Sequence, residues 1–261
     1  MQPARELKAK IARGDLVTGV LATNHVWPGL VEISQRVGLD YLIVDLEHGA
    51  HSLQLVADVC TTGRQLNFPV LVRPLCNDYP TLRSLIDQGP CGFLLADVES
   101  AAALDDVAAA IRMPPRGRRR PGGAACYWVS NFGLEAWQRE IEDDFIILPQ
   151  IESRIGVSHA KEIAEHELTT ALAVGPYDLS ADLGCCGVMD HPDLIAVLSQ
   201  LKAVATSVGK AMWMIGNGEQ LARDGWRFLC IGEPTYMLQN ALQVARTRTA
   251  ESCEESVLSL G

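Results

Sequence analysis

The stretch Tyr41-Leu42-Ile43-Val44-Asp45-Leu46-Glu47-His48-Gly49 joins a run of apolar residues to a group of titratable ones. Its first four residues are large and apolar without polar alternation, which is typical of a strand buried on both faces of a parallel sheet. The run is followed by two acids, a histidine and a glycine, so a rigid element presents acid/base groups to a cleft. The stretch therefore predicts one strand of an α/β fold with functional residues at its carboxyl end.

The same alternation of a short apolar run and an amphipathic helix recurs along the whole chain. Eight strands are predicted, at residues 17–21, 41–45, 68–72, 91–96, 145–151, 170–174, 211–215 and 228–231. A Pro-, Gly- and Arg-rich stretch at 113–133 is expected to be a long functional loop, and a terminal helix is expected at 235–248. The acidic tail 251–261 is expected to be mobile or to pack on another subunit. Because no linker interrupts the eight units, we predict a single (β/α)8 TIM barrel over 1–261 rather than two domains.

The composition limits the classes of molecule that this protein is expected to bind. Of the 261 residues 48% are hydrophobic, and the formal net charge is −10. A phosphate backbone requires a basic face, so this charge argues against nucleic acid. The amino-terminal residues are charged and polar and no apolar run approaches the ~20 residues of a membrane span, so no secretory signal and no membrane anchor are expected. The eight cysteines form no Cys-x-x-Cys pair, which favours buried thiols over a zinc or disulfide framework. The expected location is the cytoplasm.

Charged or titratable side chains follow five of the predicted strands. They are Glu47, His48, Arg73, Asp97, Glu152 and Asp178. The active site of a TIM barrel is built at the carboxyl ends of its strands, so these side chains are expected to converge on one mouth. Six such residues at one mouth are harder to explain as solvated surface than any one of them alone.

Two of these residues are suited to metal binding and one to binding an anion. Glu152 and Asp178 are hard oxygen ligands from neighbouring strands, which suit Mg²⁺, Mn²⁺ or Co²⁺ better than zinc. Arg73 can hold a substrate carboxylate through its planar fork. Its alternative role is a structural ion pair with Glu47 or Asp45.

His48 is the only histidine at a predicted strand end, and an imidazole with an unperturbed pKa of ~6.5 suits a general base. A metal that chelates a carboxylate and a ketone, an arginine anchor and a base together describe carbon–carbon chemistry on a 2-oxo acid through a stabilised enolate. No lysine occupies a strand end, so a Schiff-base aldolase is disfavoured.

Several ordered motifs resemble those of the HpcH/HpaI family of class II, metal-dependent pyruvate aldolases. The motifs are Asp45-Leu46-Glu47-His48-Gly49, Val70-Leu71-Val72-Arg73-Pro74, Gln150-Ile151-Glu152-Ser153, Gly175-Pro176-Tyr177-Asp178-Leu179-Ser180 with Leu183-Gly184, and Gly209-Lys210. The resemblance runs from Gly19 to the last helix. It implies that Glu152 and Asp178 bind the divalent metal and that Arg73 holds the pyruvate carboxylate and polarises its ketone.

The resemblance also implies roles that the residue types alone do not. His48 would be the acid/base group, and Asp87 would pair with it, within one chain or across a subunit boundary. Substrate contacts are implied for Arg73, Gln150, Gly175, Pro176, Tyr177 and Trp213. The protein is further expected to be a homo-hexamer, a trimer of dimers that exchange the helix at 235–248.

The chain departs from the family pattern at three places. Leu95-Ala96-Asp97 stands where the family usually has Ile-Pro-Met, which adds a carboxylate at the mouth. The segment 117–122 reads Gly-Arg-Arg-Arg-Pro-Gly instead of Gly-x-Arg-Gly-Val-Gly. Trp213 stands about where strand seven normally carries a glycine, so its indole is expected to fill space that is otherwise open to substrate.

Three functions are consistent with these residues. The first is reversible cleavage of a 4-hydroxy-2-oxo acid to pyruvate and an aldehyde. The second is carbon–carbon bond formation from oxaloacetate, as in siderophore-pathway citrate synthases or macrophomate synthase, and the positive charge of residues 116–120 motivates it. The third is a non-catalytic barrel that binds a carboxylate metabolite, and the crowding suggested by Trp213 and Asp97 motivates it.

Overall fold

A closed barrel of eight parallel strands forms the centre of the computed structural model, which describes residues 1–120, 122–129 and 134–258 without the side chains of 134 and 254–258. The strands follow one another around the barrel in chain order, and the last pairs with the first. They are β1 Val17–Ala22, β2 Tyr41–Asp45, β3 Val70–Arg73, β4 Gly92–Leu95, β5 Ile146–Ile151, β6 Ala171–Val174, β7 Ala211–Ile215 and β8 Phe228–Cys230. The predicted (β/α)8 barrel is confirmed, and each strand end lies within two residues of its predicted position.

Helices cover the outside of the barrel. They are α1 Gln2–Arg13, α2 Pro28–Arg36, α3 Leu53–Gln65, α4 Tyr79–Ile86, α5 Ala102–Ile111, α6 Leu134–Glu140, α7 Arg154–Glu165, α8 Pro176–Asp182, α9 Pro192–Ser207, α10 Gly218–Arg223 and α11 Pro234–Leu258, with 3₁₀ helices at Ala124–Trp128 and Glu142–Asp144. None of the helices in the described ranges is both long enough and apolar enough to cross a bilayer.

Two helices differ from the sequence prediction. Helix α1 was not predicted, because its buried stripe of Ala4, Leu7 and Ile11 is narrow and lies in a polar segment. Lys8 Nζ donates to the carbonyl of Phe145, which precedes β5, so α1 lies at the amino ends of the strands. Helix α11 continues to Leu258 instead of ending at residue 248, so most of the acidic tail is helical. No glycine or proline stands between its first turn and Gly261 to end it earlier.

Aromatic side chains fill the inside of the barrel near its amino end. The ring of Tyr41 lies against Gly19, where a Cβ would approach it to 2.5 Å, and meets Phe228 edge-on at 5.4 Å. Trp213 has no exposed surface, and its Nε1 donates to the Tyr41 hydroxyl at 2.7 Å. A fully buried side chain does not line an open pocket, so the indole packs the barrel interior in this structure, and its contact with substrate stays a prediction.

The arginine-rich segment after α5 starts at the amino face of the barrel, because a helix that follows a strand runs back against it. Arg116 Nη1 lies 3.0 Å from Glu142, just before β5. Arg118 stacks on a tyrosine ring and lies 3.5 Å from Asp106. Arg119 is buried and bonds to Asp87 at 2.7 Å. Pro121 lies outside the described residues. Three of the four arginines that motivated the oxaloacetate alternative, Arg116, Arg118 and Arg119, are thus paired with carboxylates of the same chain.

Candidate active site

A buried ion pair joins the ends of β2 and β3. The register of the two strands places Asp45 opposite Arg73, and neither side chain has more than a few per cent exposure. Arg73 Nε donates to Asp45 Oδ1 at 2.8 Å and Nη2 donates to Oδ2 at 2.7 Å. Burial alone would raise the pKa of Asp45, but the hydrogen bonds and charge of Arg73 outweigh it and lower that pKa. The guanidinium is therefore held in one orientation.

Arg73 has a second face turned toward the mouth. Its Nη1 lies 2.9 Å from Oε2 of Glu47, an ion-pair contact without hydrogen-bond geometry. Burial opposes its charge, but Asp45, Glu47 and Glu152 more than offset this and raise the pKa of Arg73. A guanidinium has five N–H groups, so hydrogens on Nη1 and Nη2 remain for an anionic ligand. The ion pair and the substrate anchor, which the sequence left as alternatives, are thus compatible.

Glu152 lies directly after β5, close to the carboxylates of Asp178 and Glu47. Its Oε2 accepts a hydrogen bond from the backbone N–H of Asp97 at 2.8 Å. Burial, followed by the carboxylates of Asp178 and Glu47, raises the pKa of Glu152 to about 7 against the opposing effect of Arg73. A cation between Glu152 and Asp178 would relieve this repulsion.

The donor set fits a hard divalent cation. Two carboxylates that leave coordination positions open for water suit such a cation better than zinc, which prefers His and Cys ligands. Gly175, before α8, leaves room for Glu152, because a Cβ there would stand 2.0 Å from Glu152 Oε1. Gln150 Oε1 is buried without a hydrogen-bond partner, which leaves an acceptor free for a ligand.

His48 stands on the rim, with 63% of its side chain exposed. The backbone N–H groups of Glu47 and His48 both point to Asp45 Oδ1, at 3.0 and 3.4 Å, so the turn after β2 is held by the buried acid. His48 Nε2 lies 3.8 Å from Glu47 Oε2. The imidazole is thus placed beside the guanidinium and open to incoming groups.

Asp87 lies far from His48 within one chain. It follows α4, whose end lies at the amino face, whereas His48 stands at the carboxyl ends of the strands. Its carboxylate is bonded to Arg119, which also lies over the Trp137 ring at 5.1 Å. The pairing of Asp87 with His48 is therefore not formed inside one chain, and pairing across a subunit boundary stays a prediction.

The first turn of α8 carries the other predicted substrate residues. Pro176 is its first residue, where proline is favoured because no helical N–H is lost. Tyr177 is 62% exposed, and a hydrogen bond with the thiol of Cys186 raises the pKa of its hydroxyl. Asp178 is exposed in the same turn, next to Glu152 at the mouth.

Sequence reasoning missed Thr23, which supports the site from β1. Its Oγ1 donates to Asp45 Oδ2 at 2.7 Å, and its carbonyl lies 2.8 Å from His51 Nε2. The signal was available, since Thr23 is the polar residue immediately after β1, but no charge drew attention to it.

Comparison with known proteins gives consistent results. The family model described as HpcH/HpaI aldolase/citrate lyase matches residues 22–233. A 4-hydroxy-2-oxo-heptane-1,7-dioate aldolase from Shigella boydii serotype 18 is 30% identical over 233 residues, which cover 85% of this chain and 88% of that protein. A hydroxypyruvate/pyruvate aldolase from Delftia acidovorans is 27% identical, with 97% of this chain and 96% of that protein covered.

Solved structures agree with the same fold. The crystal structure of an HpcH/HpaI aldolase from Desulfitobacterium hafniense superposes with a TM-score of 0.83 at 26% identity, covering 92% of this chain and 95% of that one. The citrate synthase SbnG superposes with a TM-score of 0.82 at 20% identity, covering 95% and 98%. At that identity the second match supports the barrel alone.

Proposed function

The chain belongs to the HpcH/HpaI aldolase/citrate lyase family, and from this premise we propose that it is a divalent-metal-dependent aldolase. It cleaves a 4-hydroxy-2-oxo acid reversibly to pyruvate and an aldehyde. The single observation that carries the proposal is the position of Arg73, held by Asp45 and facing Glu47 and Glu152 at one mouth. Relatives named as aldolases of this substrate class support it.

Glu152 and Asp178 would hold the cation, since both are oxygen donors, and burial together with the charge of Asp178 raises the pKa of Glu152. When bound, the cation supplies Lewis-acid polarisation of the ketone of the 2-oxo acid. Gly175 keeps the space beside Glu152 clear. Gln150 offers its unpaired Oε1 to a hydroxyl group or a water in the same space.

Arg73 binds the carboxylate of the 2-oxo acid through the N–H groups that its ion pairs leave free. Its orientation is set by Asp45 before substrate arrives, so little ordering is required on binding. The charge of Arg73 persists at any working pH because the surrounding carboxylates raise its pKa.

His48 takes the proton of the C4 hydroxyl in the cleavage direction. The C3–C4 bond breaks, C4 becomes the aldehyde carbon, and the electron pair left at C3 accepts a proton to form the methyl group of pyruvate. The proton lost from the hydroxyl and the proton gained at C3 balance, so no co-reactant is consumed. Asp87 of a second copy would orient the imidazole, which makes a homo-oligomer, a hexamer built of dimers, part of the proposal.

The test is metal-dependent release of pyruvate from a panel of 4-hydroxy-2-oxo acids, measured with protein stripped by chelator and reloaded with Mg²⁺, Mn²⁺ or Co²⁺. Replacing the planar fork by Arg73→Lys is expected to lower kcat/KM about 10- to 100-fold. The matched control is Arg13→Lys, an exposed arginine paired with Asp15 at the end of α1. Absence of pyruvate with every metal, or equal effects of the two variants, would refute the proposal.

A further inference from the structure

The turn after β4 is attached to the site by its backbone. The side-chain amide of Asn77 donates to the carbonyl of Ala96 at 2.8 Å, and Val98 N donates to the carbonyl of Gln150 at 3.0 Å. Asp97, between them, adopts a left-handed φ of 51°, which points its N–H at Glu152 Oε2. Aspartate and asparagine tolerate this conformation better than most residues. The backbone of Asp97 is therefore fixed next to Glu152.

The Asp97 carboxylate is exposed and surrounded by acids. Burial, then Glu99, Asp178 and Asp182, raises its pKa. We call Asp97, Glu99 and Asp182 the acidic rim, and we leave out Asp178 because it is one of the two proposed metal ligands. Glu99 accepts a bond from the Ser153 hydroxyl at 2.6 Å and Asp182 from the Arg154 backbone N–H at 2.7 Å, so both are held by neutral donors. Within the part of the chain that the structure describes, no ion pair involves Asp97.

A separate observation shows that the space beside the rim is built for a ligand. Gln150 is 3% exposed, and its Oε1 has no hydrogen-bond partner. Its Nε2 lies 2.7 Å from where a Cβ of Gly175 would stand, next to Glu152. A buried amide with an unpaired oxygen costs free energy unless a bound group satisfies it. The rim therefore borders the substrate space rather than an arbitrary stretch of surface.

The charges around this space differ between the end that binds the 2-oxo acid and the end that binds the acceptor. The carboxylate of the 2-oxo acid can meet Arg73, whose charge is shared with Asp45 and Glu47. The cation that Glu152 and Asp178 would hold is shared with the 2-oxo acid, so a second carboxylate at the far end of the acceptor would meet Asp97, Glu99 and Asp182 without a cationic side chain to receive it. An uncharged acceptor of equal size would lose nothing there.

We propose that Asp97 and the acidic rim select uncharged aldehyde acceptors over aldehydes that carry a terminal carboxylate. The inference rests on the proposed aldolase function and names the class of its second substrate. Asp97 acts as the specificity determinant through the charge of its side chain. Its own backbone N–H contacts Glu152, which places the residue next to the proposed metal ligand.

The experiment compares two acceptors of one shape, 4-oxobutanoate and its neutral amide 4-oxobutanamide, each with pyruvate and the metal-loaded protein. The wild-type protein is expected to show the higher kcat/KM with the amide. Asp97→Asn keeps the size of the side chain, and asparagine also tolerates the left-handed backbone conformation. This variant is expected to shift the ratio of the two kcat/KM values toward the carboxylate about three- to tenfold at low ionic strength. Raising the salt to about 0.5 M KCl should shrink the shift, because a charge effect is screened.

Asp15→Asn serves as the matched control, since it removes the same charge before β1, at the amino face. No turnover of either acceptor, or of any other, by the wild-type protein would refute the aldolase function itself. Turnover with a preference for the carboxylate, or a ratio that Asp97→Asn leaves unchanged, would overturn the role of Asp97 while leaving the aldolase function standing. A ratio that Asp15→Asn shifts equally would also overturn it, because the effect would then come from net charge.

Discussion

The pair of Asp45 and Arg73 is a buried contact that contributes to folding and orients the proposed substrate anchor. Taking both charges out of water is costly, and the bidentate geometry with the added hydrogen bond from Thr23 offsets that cost. Removing one partner leaves the other charge uncompensated in the interior. The pair is therefore expected to matter for stability even in the absence of substrate.

Asp45→Asn is predicted to destabilise the protein by about 3 kcal/mol near neutral pH, because it leaves the Arg73 charge buried beside Glu47 alone. The folded-state pKa of Asp45 is lowered, so its contribution is present above the unfolded value and is lost as the pH falls through the folded one. Urea unfolding of the two proteins should give a difference that is constant from neutral pH to about pH 4 and shrinks below it. A difference that grew on acidification would contradict this account.

At the scale of elements, the junction between β6 and α8 leaves room for Glu152, a proposed metal ligand, because Gly175 has no side chain. Gly175 has a φ of −95°, which any residue can adopt, so its requirement for glycine comes from the close approach of Glu152 and not from backbone strain. Gly175→Ala is predicted to displace the Glu152 carboxylate and to weaken Mn²⁺ binding about 10- to 100-fold. Titration of Mn²⁺ followed by electron paramagnetic resonance measures this. Thermal unfolding of the metal-free variant should stay near that of the wild type, and a large loss there would point to misfolding instead.

Helix α11 contacts its own chain near its start, where Thr235 lies 3.0 Å from His25, and is exposed beyond it. The side chains from Tyr236 to Cys253 are all exposed, among them Met237, Leu238 and Leu242. Apolar side chains in such a row are expected to be covered by a second copy, in line with the predicted exchange of the terminal helix. Leu242→Glu is predicted to shift the protein to smaller species in light scattering after size exclusion, whereas Gln243→Glu, which adds the same charge to the neighbouring position, should not. Equal behaviour of the two variants would argue against this face as the contact.

At the scale of the whole molecule, His48 and Asp87 are separated within one chain, so the predicted pairing of the two requires a second copy. If each site combines His48 of one copy with Asp87 of another, His48→Asn and Asp87→Asn each abolish both sites of a homodimer. A mixed dimer carries one site with both substitutions and one site with neither. Co-expression of the two variants should therefore restore about a quarter of the wild-type activity. No recovery in isolated mixed dimers would show that the two residues do not share a site across the boundary.

The main outline of the barrel could be predicted because it follows from the local pattern of apolar and polar residues. Runs such as 41–45 are apolar on both faces, and the short helices between them have apolar residues at helical spacing, so each unit could be recognised without its neighbours. The position of Glu152, Asp178 and Arg73 at the mouth follows from that pattern, because all carboxyl strand ends meet on one face. Helix α1 was missed because its apolar stripe is narrow and can be recognised as a buried face only once the barrel end that it covers is known.

Sequence alone determined the barrel, its family resemblance and the chemical types that gather at its mouth, since these depend on residues within one unit or on the shared direction of parallel strands. Tertiary structure decided which side chains contact one another. It showed that Arg73 pairs with both Asp45 and Glu47, that Trp213 packs the barrel interior, and that Asp87 is held by Arg119 at the opposite face. The reason is that pairing and burial depend on distances between residues far apart in the chain, which periodicity does not encode.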